Sequence, residues 1–368
     1  MLAIFGSYAP SLTAFRGDLI ADAVALGHKV HALAPDIDEA TANKLRELGA
    51  EPVAVPLGRT SLNPFDAMRS ARALRSTLKG IRPDVLIAYT IKPVILGARA
   101  ARGVGVPRFV PMITGLGYAF LGERSIKRRI IRETARFLYR RALREAHVTI
   151  FQNQDDRGDF ERMGILAPSA PTLIVNGSGI DLDRFPQQPL VDRPHFLMIS
   201  RLLRDKGIRE FAAASARIKR ERPEVEISLV GWRDESPDSI SQHELDAITA
   251  SGVTYLGKLD DVRPALAACS IYVLPSYREG TPRSVLEAMA VGRAIITTDA
   301  PGCRETVVDG ENGILVPARD ADALYDAMLR LAVDAGLRSR MAESSRRLAE
   351  AKYDVRQVNR AILDAAGL

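Results

Sequence analysis

Two parallel, doubly wound α/β domains are what this chain predicts, and three observations predict them. Short apolar, β-branched runs alternate with amphipathic helical stretches through both halves, which is the rhythm of strands joined by crossover helices. That rhythm breaks at Asn176–Pro194 (NGSGIDLDRFPQQPLVDRP), a stretch rich in Gly, Asp and Pro, and then restarts. At 368 residues the chain is long for a single core. Two such domains facing one another would leave a cleft, the usual place for a ligand.

In order, the first half reads as strand Leu2–Gly6, a helix near Phe15–Leu26, strand Lys29–Ala34, a helix over Ile37–Leu48 and strand Pro52–Val55. Helix Asn63–Lys79, strand Asp84–Ala88, helix Val94–Arg102 and strand Pro107–Ile113 follow, then a long basic helix and the strands Val148–Phe151 and Thr172–Val175. Beyond the break come strand His195–Ser200, helix Lys206–Arg220, strand Val225–Val230, helix Ser239–Ala250, strand Val253–Leu256 and helix Val262–Ala268. A βαβ unit over Ile271–Asp299 is next, then a turn at Asp309–Gly313, strand Ile314–Val316 and helices over Asp320–Val333, Gly336–Lys352 and Asp354–Ala366.

The chain is organised around that βαβ unit, IYVLPSYREGTPRSVLEAMAVGRAIITTD. Ile271–Pro275 is a buried strand, Thr281 and Pro282 read as N-cap and first helical residue, Gly292 ends the helix and Ala294–Thr298 is the next strand. Val285, Leu286, Ala288, Met289, Ala290 and Val291 make the helix apolar nearly all round, so it is buried. Glu287 is the lone carboxylate among them and needs donors to stay ionised. Either Arg283 supplies them from four residues back, or Glu287 accepts the hydroxyls of a bound polyol such as a ribose. Glu279 lies in the loop before the helix, where crevice ligands bind. Between the two acids, Gly280 and the first-turn amides form a phosphate seat. Across the break, SRLLRDKG also follows a strand and precedes a helix; Arg201 and Lys206 there could clamp a diphosphate, or form a solvated charged turn. Gly6 and Ser7 end the first strand, where a phosphate or sugar could approach.

Composition narrows the class. Hydrophobic residues make up 46% and charged residues 26%, and no apolar run approaches the roughly 20 residues of a membrane span. The start, MLAIFGSYAP, has no basic region and reads as a strand and not a signal peptide. Cys269 and Cys303 offer neither a disulfide framework nor zinc spacing, which suits a reducing cytoplasm. The triplets Asp36-Ile37-Asp38 and Asp181-Leu182-Asp183 could hold a divalent ion, but such short triplets recur by chance and no metal site is expected. A formal charge of +6 implies acidic partners.

Much of that charge lies between Arg124 and Arg144. Lys127, Arg128, Arg129, Arg132, Arg136, Arg140 and Arg141 are interleaved there with Ile126, Ile130, Ile131, Phe137 and Leu138. Arg129, Arg132, Arg136 and Arg140 share one helical face, with Glu133 in its middle. A solvated face is the ordinary reading of such a run; a face so nearly pure in sign is expected to meet anionic lipid. No aromatic platform or DNA-binding motif accompanies it, so nucleic acid is not the expected partner.

SRLLRDKG, PSYREGTPRSVLEAMAVGRAIITTD and DGENGILVP together resemble the nucleotide-sugar domain of retaining family-4 glycosyltransferases with the GT-B fold. The glutamate pair with seven residues between them, here Glu279 and Glu287, carries much of that resemblance, which spans nearly the whole chain. TIKPVILGARAARGVGVPRFVPMITGLGYAF resembles the subgroup that builds bacterial lipid-linked oligosaccharides and surface polysaccharides. The resemblance implies two Rossmann-like domains facing across a cleft: an acceptor domain over residues 1–180, a nucleotide-sugar domain over 181–350, and a terminal helix in 351–368 that returns to the first. It implies that Glu287 holds the ribose of a UDP-sugar and that Glu279 meets the donor sugar beside Gly280, Thr281 and Pro282. Arg201 and Lys206 would neutralise the departing pyrophosphate. The UDP-sugar is a co-substrate, and no cofactor or metal is expected. Many relatives carry His or an acid after the fifth strand, where this chain has Thr114-Gly115-Leu116-Gly117; that departure favours a same-face displacement in which the leaving phosphate takes the acceptor proton. Lys92, Thr114, Gly115 and Gly117 would meet a polyprenyl-diphosphate-linked sugar, with the basic helix on the inner face of the cell membrane. The expected activity is transfer of an N-acetylhexosamine or other hexose-type residue. The alternatives are a UDP-N-acetylglucosamine 2-epimerase and a non-catalytic nucleotide-sugar or anionic-lipid binding module.

Overall fold

The computed structural model describes residues 1–58, 63–116, 120, 126–234, 236 and 238–368. The chain divides into two compact units, Met1–Ser178 with Val355–Leu368, and Gly179–Asp354. Each is an α/β unit on a parallel sheet, as the alternating rhythm predicts.

In the first unit, β1 (Leu2–Phe5), β2 (Val30–Ala34), β3 (Ala50–Ala54), β4 (Val85–Tyr89), β5 (Arg108–Ile113), β6 (Thr149–Phe151) and β7 (Thr172–Ile174) pair in the order β3-β2-β1-β4-β5-β6-β7. Leu2 is in register with Val30 on one side and Val85 on the other, so chain direction across the sheet reverses between β1 and β4. Such a reversal opens a crevice at the strands' carboxyl ends. Helices α1 (Ala9–Ala25) and α2 (Glu39–Glu47) connect the first three strands. Helices α3 (Pro64–Ile81), α4 (Ile91–Val104) and α5 (Ile126–Leu143) follow β3, β4 and β5, and pack in a row with α4 in the middle. Their buried side chains, Leu74 and Leu78, Val94 and Ala98, Tyr139 and Leu143, share one core on one side of the sheet. On the other side, α13 (Val355–Ala366) buries Val358, Ile362 and Leu363 in the core that takes Leu12, Leu19 and Ile20 of α1.

Helices α1 and α6 differ most from expectation. α1 starts six residues before Phe15, because Pro10 fits the first helical turn where its missing N–H costs nothing. α6 (Gln154–Arg162) was not expected at all. Its sequence, QDDRGDFER, is polar and shows no apolar stripe. The helix is set by its cap, where Asn153 accepts from the Asp156 amide at 2.7 Å, and by a single apolar anchor, the buried Phe160.

The second unit pairs β8 (His195–Ile199), β9 (Glu226–Val230), β10 (Thr254–Tyr255), β11 (Ile271–Leu274), β12 (Ala294–Thr298) and β13 (Gly313–Val316) in the order β10-β9-β8-β11-β12-β13, with its reversal between β8 and β11. Helices α7 (Ile208–Glu221), α8 (Gln242–Ala250), α9 (Arg263–Ala268) and α10 (Arg283–Val291) connect these strands, and α11 (Ala321–Val333) and α12 (Ala335–Lys352) follow the last of them. α7 begins two residues later than predicted, after a short 3-10 turn over Arg204–Lys206.

The rhythm break at 176–194 is not a loose tether along its length. Three arginines hold residues 185–192 to the second unit through main-chain carbonyls. Arg346 donates to Phe185, the fully buried Arg293 to Gln188 and Pro189, and Arg338 to Asp192, at 2.7–3.2 Å. Both Asp-x-Asp triplets have local structural work: Asp38 caps α2 through the Thr41 amide, and Asp181 accepts from the amides of Asp183 and Arg184.

Candidate active site

Ser200–Gly207 leaves β8 and Ser276–Pro282 leaves β11, so both loops emerge at the reversal of the second sheet. Two glycines bring main chain against main chain there. Gly207, at φ +72°, lies so close to β11 that a Cβ would sit 2.1 Å from the Pro275 carbonyl. Gly302, at φ +80°, sits against Glu279, and a Cβ would come within 2.1 Å of the Glu279 carbonyl. The Tyr277 amide donates to the Asp205 carbonyl and the Glu279 amide to the Pro301 carbonyl, both at 2.9 Å. Three loops from distant sequence therefore fix the backbone that carries Glu279.

Lys206 and Glu279 meet in that frame. Lys206 Nζ donates to Glu279 Oε1 at 2.5 Å, and Ser276 Oγ donates to the same oxygen at 2.8 Å. The two charged side chains are 15% and 16% exposed, which makes this a shielded pair. Burial alone pulls the ammonium pKa down, but Glu279 and then Asp205 outweigh it and hold Lys206 above its ordinary value. Asp205 moves up, chiefly by burial, against the pull of Lys206. Next to it, the Tyr277 hydroxyl donates to Glu210 at 2.7 Å, anchoring the loop to α7. Burial, followed by that carboxylate, pushes the phenol up to about 12.

Glu287 stands one turn into α10. Arg283 Nε donates to Glu287 Oε1 at 3.2 Å, so the i,i+4 ion pair weighed from the sequence is present. The carboxylate is 14% exposed, hence not directed into bulk water. Burial raises its pKa, with Arg283 opposing. The fully buried Tyr272 of β11 lies near both carboxylates. Its hydroxyl donates to the Ile199 carbonyl at 3.0 Å, and burial, with Glu287 and Glu279 adding to it, holds its pKa far above the ordinary value. The helix itself starts one residue later than expected. Pro282 is the N-cap, in extended conformation and with no side-chain capping bond, while the Thr281 hydroxyl donates to the Gly280 carbonyl.

Other expected residues are placed differently. Arg201 is 47% exposed and donates to Asp234 at 3.1 Å, while Lys206 engages Glu279, so the two cations of the expected clamp are drawn to separate acids. Arg201 remains near enough to act on both Lys206 and Asp205. In the first unit, Gly6 and Ser7 lie at the reversal between β1 and β4. Ser7 Oγ is 2.9 Å from Thr90 Oγ1. Thr90 was not singled out from sequence, yet it holds φ +70°, a conformation that costs a threonine of order 1–3 kcal/mol and is imposed by its surroundings. Lys92 Nζ donates to the Gly58 carbonyl, and burial lowers its pKa. Thr114 and Gly115 are half-buried after β5. Gly117 and Arg124 lie outside the described residues, as do the side chains of Lys127 and Arg128.

On α5 the expected cationic face is present. Arg129 and Arg140 are exposed, and Arg132 and Arg136 share Glu133 at 3.8 and 3.3 Å. Part of the interleaved apolar set does not pack inward: Ile130 is 62% exposed and Phe137 58%.

The family described as "Glycosyl transferases group 1" matches residues 193–334, and "Glycosyl transferase 4-like domain" matches residues 13–177. An N,N'-diacetylbacillosaminyl-diphospho-undecaprenol alpha-1,3-N-acetylgalactosaminyltransferase of Campylobacter jejuni is 30% identical over 322 residues, covering 84% of this chain and 83% of its own length. The Escherichia coli UDP-Gal:alpha-D-GlcNAc-diphosphoundecaprenol alpha-1,3-galactosyltransferase is 25% identical, covering 76% and 74%. Among solved structures, Anabaena HepE in complex with UDP superposes with a TM-score of 0.78 at 19% identity, covering 100% of this chain and 99% of its own. Sucrose-phosphate synthase from Thermosynechococcus elongatus superposes with a TM-score of 0.83 at 18% identity, covering 99% and 97%. Two parallel α/β units, both halves matched and a 30% identical relative along most of the chain place this protein in the group 1 glycosyltransferase family with the GT-B fold.

Proposed function

We propose that this glycosyltransferase moves an N-acetylhexosamine from a UDP-sugar to a polyprenyl-diphosphate-linked saccharide, with retention of anomeric configuration, at the inner face of the cell membrane. The observation that carries the reading is the Lys206–Glu279–Ser276 cluster at the β8/β11 reversal, followed directly by the start of α10 and by Glu287. A helix amino end favours anions, and a shielded cation beside it suits the diphosphate. The ribose goes to Glu287 and the donor sugar to Glu279, with the backbone of Gly280, Thr281 and Pro282 beside it. Relatives whose names state undecaprenyl-diphosphate-linked acceptors support the acceptor class.

In the reaction, the acceptor hydroxyl oxygen bonds to the sugar's anomeric carbon as the carbon–oxygen bond to the diphosphate breaks. UDP departs with the electron pair, and the hydroxyl proton passes to the departing phosphate oxygen. Lys206 and Arg201 stabilise the charge that develops on that oxygen, an electrostatic contribution that grows toward the transition state. Gly6 and Ser7 are assigned to donor binding in this reading. Lys92, Thr114, Gly115 and Gly117 serve the acceptor, and the arginines of α5 serve the bilayer. Since side chains neutralise the leaving group, chelation of divalent ions is expected to leave turnover unchanged.

The test is a panel of UDP-sugars assayed with and without an undecaprenyl-diphosphate-linked saccharide, the product's anomeric configuration being read by NMR. Acceptor-dependent release of UDP with an α-linked product from an α-linked donor supports the reading. Formation of an epimeric UDP-sugar without acceptor, or UDP-sugar binding with no turnover for any lipid-linked acceptor, overturns it.

A further inference from the structure

The two sides of the first unit's sheet differ sharply in charge. On the side of α1, α2 and α13, five basic residues are balanced by five acidic ones. On the opposite side, α3, α4 and α5 carry four, three and seven basic residues against Asp66 and Glu133 alone, while α6, packed there through Phe160, adds two basic and four acidic residues. The chain's formal net charge is +6, so this one side holds more than the whole excess. The cations are at the surface: Arg69, Arg72, Arg75 and Lys79 on α3, Arg99 and Arg102 on α4, and Arg129, Arg132, Arg140 and Arg141 on α5 are all exposed.

Exposed apolar side chains accompany this charge on both outer helices of the row. On α5 they are Ile130 and Phe137, seven residues apart and so on one face. On α3 they are Phe65, 77% exposed, and Met68, 46% exposed, in the first turns and ahead of the stripe Arg69, Arg72 and Arg75. Leu74 and Leu78 hold the rest of α3 in the core, so the outward position of Phe65 and Met68 follows from the helix's own periodicity. A surface for nucleic acid or an acidic protein needs the cations but not solvent-exposed Phe and Met beside them. Cations that attract headgroups, with large apolar side chains that enter the acyl boundary, are the signature of a bilayer surface.

We propose that α3 is a second membrane-contacting element, docking with α5 on an anionic bilayer, and that Phe65 and Met68 insert into it. The footing is thus two helices held apart by α4, and it combines charge with apolar insertion. The proposal rests on the membrane reading of α5 given above and goes beyond it in naming α3 and insertion.

The experiment uses the full chain and vesicles of phosphatidylcholine, with and without phosphatidylglycerol. Trp232 is the one tryptophan. Phe65→Trp in a Trp232→Phe background therefore reports on α3 alone, with lipids brominated along the acyl chain as quenchers. The expected result is quenching on phosphatidylglycerol vesicles only. The Phe65→Ser/Met68→Ser protein should bind those vesicles at least about tenfold more weakly, a loss that persists at high salt because it is apolar in origin. Both positions are exposed, and an unchanged circular dichroism spectrum verifies the fold. If the unsubstituted protein binds but there is no quenching and the double variant binds equally well, α3 is not a contact, while the α5 reading stands. If the unsubstituted protein ignores anionic vesicles, or binds duplex RNA in preference to them, the membrane reading falls and this inference falls with it.

Discussion

The two charged regions of this protein use cations in opposite ways. At the β8/β11 reversal the cation is shielded and committed: Lys206 sits against Glu279 at 2.5 Å, with both side chains about one-sixth exposed. On α5 the cations are spread along a helix surface, and Arg132 and Arg136 share one acid while staying about half exposed. A shielded cation retains its field because little water screens it, which suits a compact anion whose charge changes during a reaction. Exposed cations lose most of their field beyond about 10 Å in ordinary salt, so they act by number on an extended anionic surface. The first region should therefore govern turnover and the second, location. Substitutions that mix the two outcomes would break the contrast.

The largest effect is expected at Lys206. Lys206→Ala should lower kcat/KM by about 10²–10³-fold, the range for removal of one preorganised group that stabilises developing charge. It also leaves Glu279 shielded without its cation, a change that costs of order 3–5 kcal/mol when one partner of a buried pair is removed. Urea denaturation measures that loss, while steady-state kinetics on the folded fraction isolates the catalytic effect. A folded variant with nearly full turnover would make the pair a structural clip, and the catalytic half of the contrast would be lost.

Next is the surface of α5. Replacing Arg129, Arg132 and Arg136 together by Ser should weaken binding to anionic vesicles by about 100-fold, from about 1 kcal/mol per cation near a charged membrane. Glu133 already engages two of the three, which pulls the figure down and not up. UDP affinity, measured by calorimetry, should not change. Undiminished vesicle binding would remove α5 from the contact, and a fall in UDP affinity would show that the two regions are not separate.

How much of this was legible in the sequence follows the range of the forces involved. Parallel strands buried on both faces read as unbroken apolar runs, so β1, β8, β11 and β12 were visible, as was the helix around Glu287. Glu287 stood out because a carboxylate in apolar surroundings demands partners, and Glu279 because it lies in the loop at a strand's carboxyl end, where crevice ligands bind. Partners set by tertiary packing left no local trace. Asp234 draws Arg201 from 33 positions away, and Ser276 supplies the second donor to Glu279 only because Gly207 and Gly302 pin the neighbouring loops. Tyr272 reads as one more strand residue, although its hydroxyl lies near both acids. Periodicity sets Phe65 and Met68 away from Leu74 and Leu78, but it gives a face and not what covers it. α6 was missed for the converse reason: its stability comes from a cap and one buried phenylalanine, and amphipathic pattern detects neither.

The smallest effect, and the one that most sharpens the contrast, concerns Glu287, where both readings of the sequence meet. If its carboxylate accepts ribose hydroxyls, Glu287→Gln should weaken UDP binding by about tenfold, the scale of one hydrogen bond to a charged group. If it serves only Arg283, UDP affinity should not change. Acidity separates the two further. Burial raises this carboxyl's pKa above its unfolded value, so between those two values the folded state binds more protons than the unfolded one. Its contribution to stability therefore falls as pH rises through that interval, and the cost persists at neutral pH. Denaturation midpoints of the unsubstituted protein should improve on acidification through that interval relative to Glu287→Gln, which lacks this titration. UDP affinity should move the other way. On acidification through that same interval it should decline in the unsubstituted protein more than in Glu287→Gln, because protonation removes the charge that holds the ribose. Comparing the two proteins cancels the titration of UDP itself. A stability difference that follows pH alongside identical UDP curves would assign Glu287 to the helix and not to the ligand.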